Sequence, residues 1–94
     1  MTKAPLDFEK VELVRERMML SIADMAQLLG TTRATYYAWI RGGPIRERNE
    51  MRVKDTLRQL LPLLKENKWP VPAAKAMTSK QRLEALLELL AAPE

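Results

Sequence analysis

Two arginines and a tyrosine are the side chains of this sequence best suited to recognising a ligand. Arg33, Tyr37 and Arg41 recur at intervals of four, so a helix would bring them to one face, beside Ala34 and Ala38. An arginine fork can donate two hydrogen bonds to the acceptors of a guanine, and small neighbours allow close approach. The face therefore suits a nucleic-acid groove, although either arginine alone would be more typical of a solvated surface.

Other kinds of chemistry lack the residues they need. The 94-residue sequence contains no cysteine and no histidine, which removes thiolate metal sites and the commonest general base. Its two serines, Ser21 and Ser79, have no obvious base nearby in the sequence, and the closely spaced glutamates are typical of ordinary helix surfaces. We therefore predict a protein that is not an enzyme and that needs no cofactor or metal.

Two short helices joined by a tight turn should position the arginine face. Ser21 can cap the first helix, and Thr31 or Thr32 can cap the second. Gly30 between them can adopt the positive φ that ends a helix. The second helix then extends from Arg33 to Arg41, before the sequence Gly-Gly-Pro.

The opposite face of the second helix is apolar. Tyr36, Trp39 and Ile40 are spaced to pack on the first helix, where Ala26 leaves room for a close crossing. This division into two faces supports the groove interpretation.

The segment from Ser21 to Gly42 resembles the helix-turn-helix of the lambda-repressor and Cro family, also called the xenobiotic-response-element type. The run LLGTTRATYYAWIRG carries most of the resemblance, through Gly30, Thr32 and Trp39. It departs from the family where Ile22 replaces a frequent glutamine and Tyr36 a smaller aliphatic residue. The resemblance is good over residues 21–42 and loose over 7–65. It implies an all-α, lambda-repressor-like bundle of about five helices, here followed by an extra C-terminal amphipathic helix.

The resemblance also implies a sequence-specific regulator that binds double-stranded DNA as a homodimer, with two copies of the second helix about 34 Å apart. We expect Arg33 and Arg41 to contact guanine or phosphate, and Ala34 and Tyr37 to contact thymine methyls, or phosphate for the tyrosine. Which of Tyr36 and Tyr37 faces the groove stays open. The expected phosphate contacts come from the remaining site residues: Thr31, Thr32, Thr35, Arg46 and Arg48.

Bulk composition agrees with this interpretation. The net charge is +4, and residues 33–58 carry seven basic residues against three acidic ones. No secretion signal or membrane-spanning run is visible, so a cytoplasmic protein is expected. The family resemblance implies a bacterium or a phage-infected cell as its setting. A repressor is the simplest regulator of this size.

The flanking segments should complete the core. Asp7 can cap a first helix reaching about Met18, with an apolar stripe and with Glu12 and Arg15 facing outward. A longer amphipathic helix is predicted over residues 46–67, kinked or split at Pro62. Its apolar pattern comprises Ile45, Met51, Val53, Leu57, Leu60, Leu61 and Leu64.

Residues 69–94 are predicted to form a linker and a last helix after a DNA-binding domain of residues 1–68. Trp69 should be a packing anchor, and Thr78 with Gln81 resembles a capping box. A leucine stripe on the last helix must be buried, either on its own domain or, as we favour, in a homodimer: Leu83, Leu86, Leu87 and Leu90. The alternative function is an adaptor or antitoxin that binds another protein through this helix.

Overall fold

A computed structural model describes residues 6–92 of the chain. Five α-helices and one 3₁₀ helix follow each other along the chain, and the described residues contain no strand. They are α1 (Phe8–Arg17), α2 (Ile22–Leu28), α3 (Arg33–Ile40), α4 (Glu47–Lys65), a 3₁₀ helix (Pro72–Ala76) and α5 (Ser79–Ala91). The predicted all-α class is confirmed.

Local capping residues set where these helices begin. Asp7, Ser21, Thr32 and Thr78 each accept a hydrogen bond from a backbone N–H of the first turn, at 3.0–3.1 Å. The Gln81 side chain also accepts a bond from the backbone N–H of Thr78 at 2.9 Å, which completes a capping box. All four predicted caps are therefore confirmed.

Glycines with a positive φ end α2 and α3, the central helix pair. Gly30 has φ +69° after α2 and Gly42 has φ +88° after α3. Beyond each glycine the chain turns back, so that Thr31 N–H donates to the Ala26 carbonyl at 2.9 Å. This Schellman arrangement satisfies carbonyls that the helix leaves open.

One hydrophobic core joins all five helices. Its largest fully buried side chains include Trp69, Tyr36, Met18 and Leu86. Trp69 is held by a hydrogen bond from its Nε1 to the Met18 carbonyl at 2.7 Å, so its predicted role as a packing anchor is confirmed. Residues on both sides of position 68 thus share the same core.

The apolar stripes are narrower than predicted. Four large side chains placed in the stripes are exposed: Leu13 by 47%, Ile40 by 38%, Met51 by 54% and Leu61 by 38%. In α4 the inward position belongs instead to Leu63, which is buried.

The predicted split at Pro62 is wrong, because α4 continues from Glu47 to Lys65. Pro62 lies in the last turn of the helix, so its missing N–H removes only one bond near an end. Buried Leu60 and Leu63 hold this turn on the core, and the Pro62 carbonyl still accepts from Glu66 N–H at 2.9 Å.

The last helix folds back on its own chain. Leu83 and Leu86 are buried in the common core, and α5 packs on α2. These two leucines are therefore core residues and not the dimerisation residues we had favoured. Leu87 is exposed and Leu90 is partly buried, while the neighbouring Leu89 is exposed as well.

Candidate nucleic-acid interface

The buried face of α3 fixes the orientation of this helix. Tyr36 is fully buried and Trp39 is 4% exposed, and both rings contact Phe8 of α1 at centroid distances of 5.1 and 6.0 Å. Ala26 of α2 is also buried, as expected for a close crossing of α2 and α3. Because α3 contacts both α1 and α2, rotation about its own axis would break two interfaces.

The outward face of α3 carries the side chains that the sequence singled out. Arg33, Ala34 and Tyr37 are exposed, and Arg41 is exposed at the C-cap of the helix. The two neighbouring tyrosines are now distinguished, because Tyr36 is buried and Tyr37 is 43% exposed. The structure thus brings two guanidinium groups and one phenol to the same side of α3.

The threonines at the start of α3 do not share one role. Thr32 accepts from the Thr35 N–H at 3.1 Å, and its hydroxyl donates to the Thr35 hydroxyl at 3.1 Å. The Thr32 hydroxyl is therefore engaged in capping the helix. Thr35 and Thr31 are partly exposed, and the hydroxyl proton of Thr35 is left to donate outward.

Arg46 and Arg48 follow α3 at the beginning of α4, and both are exposed. Arg46 occupies the N-cap position of α4, where its guanidinium cannot cap the helix because it has no acceptor. These two arginines extend the positive charge of the α3 face beyond Arg41.

Arg52, one of the seven basic residues of segment 33–58, occupies a position that was not predicted from the sequence. Its Nη1 lies 3.5 Å from the Leu29 carbonyl at the C-terminal end of α2. A Cβ added to Gly30 would lie 2.4 Å from the same nitrogen. Arg52 therefore lies against the turn between α2 and α3, where its positive charge suits the negative end of α2.

A polar cluster between α1 and α3 was also missed. The Tyr36 hydroxyl donates to Glu12 Oε2 at 2.6 Å, and Arg15 Nε donates to the same oxygen at 2.7 Å. Arg15 also donates to the Leu20 carbonyl at 2.8 Å. Glu12 and Arg15 are thus partly buried, which corrects their predicted outward position.

These contacts change the acidity of both ends of the Tyr36–Glu12 bond. Burial alone would raise the pKa of the Glu12 carboxyl, but the hydrogen bonds from Arg15 and Tyr36 outweigh burial and hold that pKa below its ordinary value of 4.5. Burial and the adjacent carboxylate raise the pKa of the Tyr36 hydroxyl far above its ordinary value of 10.0. At neutral pH the pair is therefore a neutral donor on a charged acceptor.

A second polar cluster connects α5 with α2. The Ser79 hydroxyl donates to the carboxylate of Asp24, which is only 8% exposed, and lies 3.3 Å from the Ser21 hydroxyl. The N-terminal ends of α2 and α5 therefore meet around one carboxylate, where helix dipoles favour negative charge. This contact positions the last helix against the central helix pair.

No protein-family model, curated protein or solved structure matches this chain. Across residues 6–92, none of the helices is both long enough and apolar enough to cross a bilayer.

Proposed function

We propose that this chain is a sequence-specific regulator that binds double-stranded DNA with the outward face of α3 in the major groove. One observation carries the proposal: the buried aromatic face of α3 is opposite a face with exposed Arg33, Tyr37 and Arg41. A helix held on two neighbours, with arginines outward, meets the requirement for reading base edges.

The side chains of this surface have two expected roles, contact with bases and contact with phosphates. Arg33 and Arg41 are the candidates for guanine, and Ala34 and Tyr37 for thymine methyls. We assign the phosphate contacts that would set the register of α3 to Arg46, Arg48 and Thr35, with Thr31. The positive balance of residues 33–58 would add the salt-dependent attraction common to DNA-binding proteins.

The resemblance to lambda-repressor-type sequences favours a phage or bacterial repressor acting as a homodimer on an inverted repeat. In the folded chain a dimer contact through α5 would use the leucines that remain accessible, Leu87 and Leu89 with part of Leu90. Repression would then follow from operator occupancy, by exclusion of polymerase.

Selection of bound sequences from random duplex DNA, followed by titration at several salt concentrations, tests the proposal. Enrichment of an inverted repeat with half-sites about one turn apart is expected. The double variant Arg33→Glu/Arg41→Glu should abolish binding to the selected site.

The matched control is Lys75→Glu/Lys80→Glu, which makes the same charge change at exposed positions outside α2–α4. This control should retain nearly all of the affinity. Equal losses in the two double variants, or binding that is indifferent to sequence, would contradict the proposal and leave only general electrostatic attraction.

A second candidate function, a protein-interaction module of the adaptor or antitoxin kind, is favoured by the exposed Leu87 and Leu89 on α5. In that case polar substitutions at these two leucines would abolish binding of the partner protein, whereas charge reversal on α3 would leave that binding intact.

A further inference from the structure

We propose that a groove beside α1 docks a basic amphipathic helix of a partner protein. The groove has a volume of about 720 Å³ and lies between α1 and the loop that joins α3 to α4. Its lining comes from α1, from the end of α3 with Trp39, and from the loop itself with Ile45. The outward face of α3, with Arg33 and Tyr37, is not part of the lining.

Apolar side chains form the floor and two edges of the groove. Phe8 and Trp39 belong to the aromatic cluster beneath it. Leu13 and Ile40, at 47% and 38% exposure, are among the most exposed large aliphatic side chains of the described residues. Two aliphatic residues from different helices, facing one groove, provide places for the apolar anchors of a bound helix.

The charge of the groove identifies the chemistry of its occupant. Five carboxylates line it, and no lysine or arginine does so among the described lining residues. Arg15 and Lys54, outside the lining, pair with Glu12 at 2.7 Å and with Glu50 at 3.1 Å, whereas Glu16 is 66% exposed and lies 3.9 Å from Arg15. The occupant is therefore inferred from Glu9 and Glu16. Glu9, Leu13 and Glu16 share one strip of α1, because positions four and seven apart lie on the same helix face. A leucine between two carboxylates complements an apolar residue flanked by lysine or arginine, whereas a phosphate backbone would be repelled.

The occupant we infer is therefore an α-helix with two apolar side chains one turn apart and basic residues on either side. Its apolar anchors would cover Leu13 and Ile40, and its cations would lie opposite Glu9 and Glu16. Because this surface is separate from the proposed DNA-binding face, the inference stands independently of the proposed function.

The experiment uses a labelled synthetic helix of leucine and lysine, with leucines one turn apart, and an otherwise identical peptide in which glutamate replaces lysine. Fluorescence anisotropy at physiological ionic strength measures their binding to the full chain. The lysine peptide should bind and the glutamate peptide should not. Glu9→Gln/Glu16→Gln should weaken binding about fivefold, since each exposed ion pair contributes modestly.

The matched control is Glu84→Gln/Glu88→Gln, which removes two exposed carboxylates from α5, beside its own exposed leucines. This control should leave affinity unchanged. Leu13→Ser should also weaken binding about fivefold by removing apolar contact. Circular dichroism should find all variants folded, because the altered side chains are exposed, and DNA binding should be unaffected.

Three results would overturn the inference. Equal losses in the two glutamine variants would mean that only overall charge matters. Unchanged binding in Leu13→Ser would mean that the peptide lies elsewhere. A wild-type dimer that becomes monomeric with Leu13→Ser, measured by sedimentation, would mean that a second copy of this chain occupies the groove.

Discussion

Replacement of Tyr36 by phenylalanine should destabilise the fold while leaving its core packing nearly intact. The substitution removes only the hydroxyl that donates to Glu12 at 2.6 Å. A hydrogen bond to a charged group is worth about 1.5–3 kcal/mol, and this one joins a fully buried ring to a partly buried carboxylate. Because Glu12 keeps its bond from Arg15, we expect a loss of about 2 kcal/mol in the free energy of unfolding.

The same bond makes the loss dependent on pH. The pKa of Glu12 is lower in the folded chain than its ordinary value of 4.5, so the ionised form stabilises the fold above that pH. This contribution is lost as the pH falls through the folded pKa. A protonated Glu12 still accepts a neutral hydrogen bond, so the effect of Tyr36→Phe should fall to about 1 kcal/mol in strong acid.

Urea denaturation followed by tryptophan fluorescence measures both values, because Trp39 and Trp69 are buried. The matched control is Tyr37→Phe, which makes the same chemical change on an exposed ring. We expect that variant to stay within about 0.5 kcal/mol of the wild type. If Tyr36→Phe costs no more than Tyr37→Phe at pH 7, or costs the same at pH 7 and in strong acid, the Tyr36 hydroxyl does not stabilise the fold through ionised Glu12.

Three further predictions test other parts of the molecule. Arg33→Ala should reduce the binding free energy for the selected DNA site by about 1–3 kcal/mol and relax the base preference there. In the same titrations, Arg46→Ala should weaken binding to selected and random DNA alike. The reverse pattern would exchange the roles of the two arginines. Gly30→Val should lower the free energy of unfolding by about 2 kcal/mol, because a branched residue must adopt φ +69° beside Arg52. Thermal melts measure this loss, and a variant with wild-type stability would contradict the described turn. Ser79→Ala should cost about 1–3 kcal/mol in the free energy of unfolding, because a buried carboxylate is left without its donor. A cost no greater than that of Ser79→Thr, which keeps a hydroxyl at the contact, would argue against it.

Features that depend on neighbouring residues could be predicted from the sequence. The caps at Ser21 and Thr32 and the left-handed turn at Gly30 are local choices of backbone geometry, and they were predicted correctly. The burial of Trp39 followed from helical spacing. Such signals lie within a few residues of each other, so one sequence is enough to find them.

Contacts between distant residues could not be predicted in this way. Tyr36 and Glu12 are 24 positions apart, and Ser79 and Asp24 are 55 apart. Nothing in the spacing of either pair indicates that they meet. The burial of some residues in the apolar stripes was predicted wrongly for a related reason. The position of the neighbouring helix decides whether a side chain such as Leu13 is covered.

The placement of α5 depended on the same kind of information. Its leucine stripe indicated burial but did not identify the covering surface. Leu83 and Leu86 are buried within the chain, while Leu87 remains outside. One amphipathic stripe is thus divided between the core and solvent.

The bond between Trp69 and the Met18 carbonyl has a practical consequence for anyone who wishes to shorten or fuse this protein. A cut just after position 68 would remove the indole that fills the space beside α1, together with the two leucines of α5 that complete the core. The central helix pair is therefore not a portable cassette bounded by that linker. A fluorescent tag or tethered enzyme is better joined beyond α5, where Ala91 and Ala92 are exposed and the core is already closed.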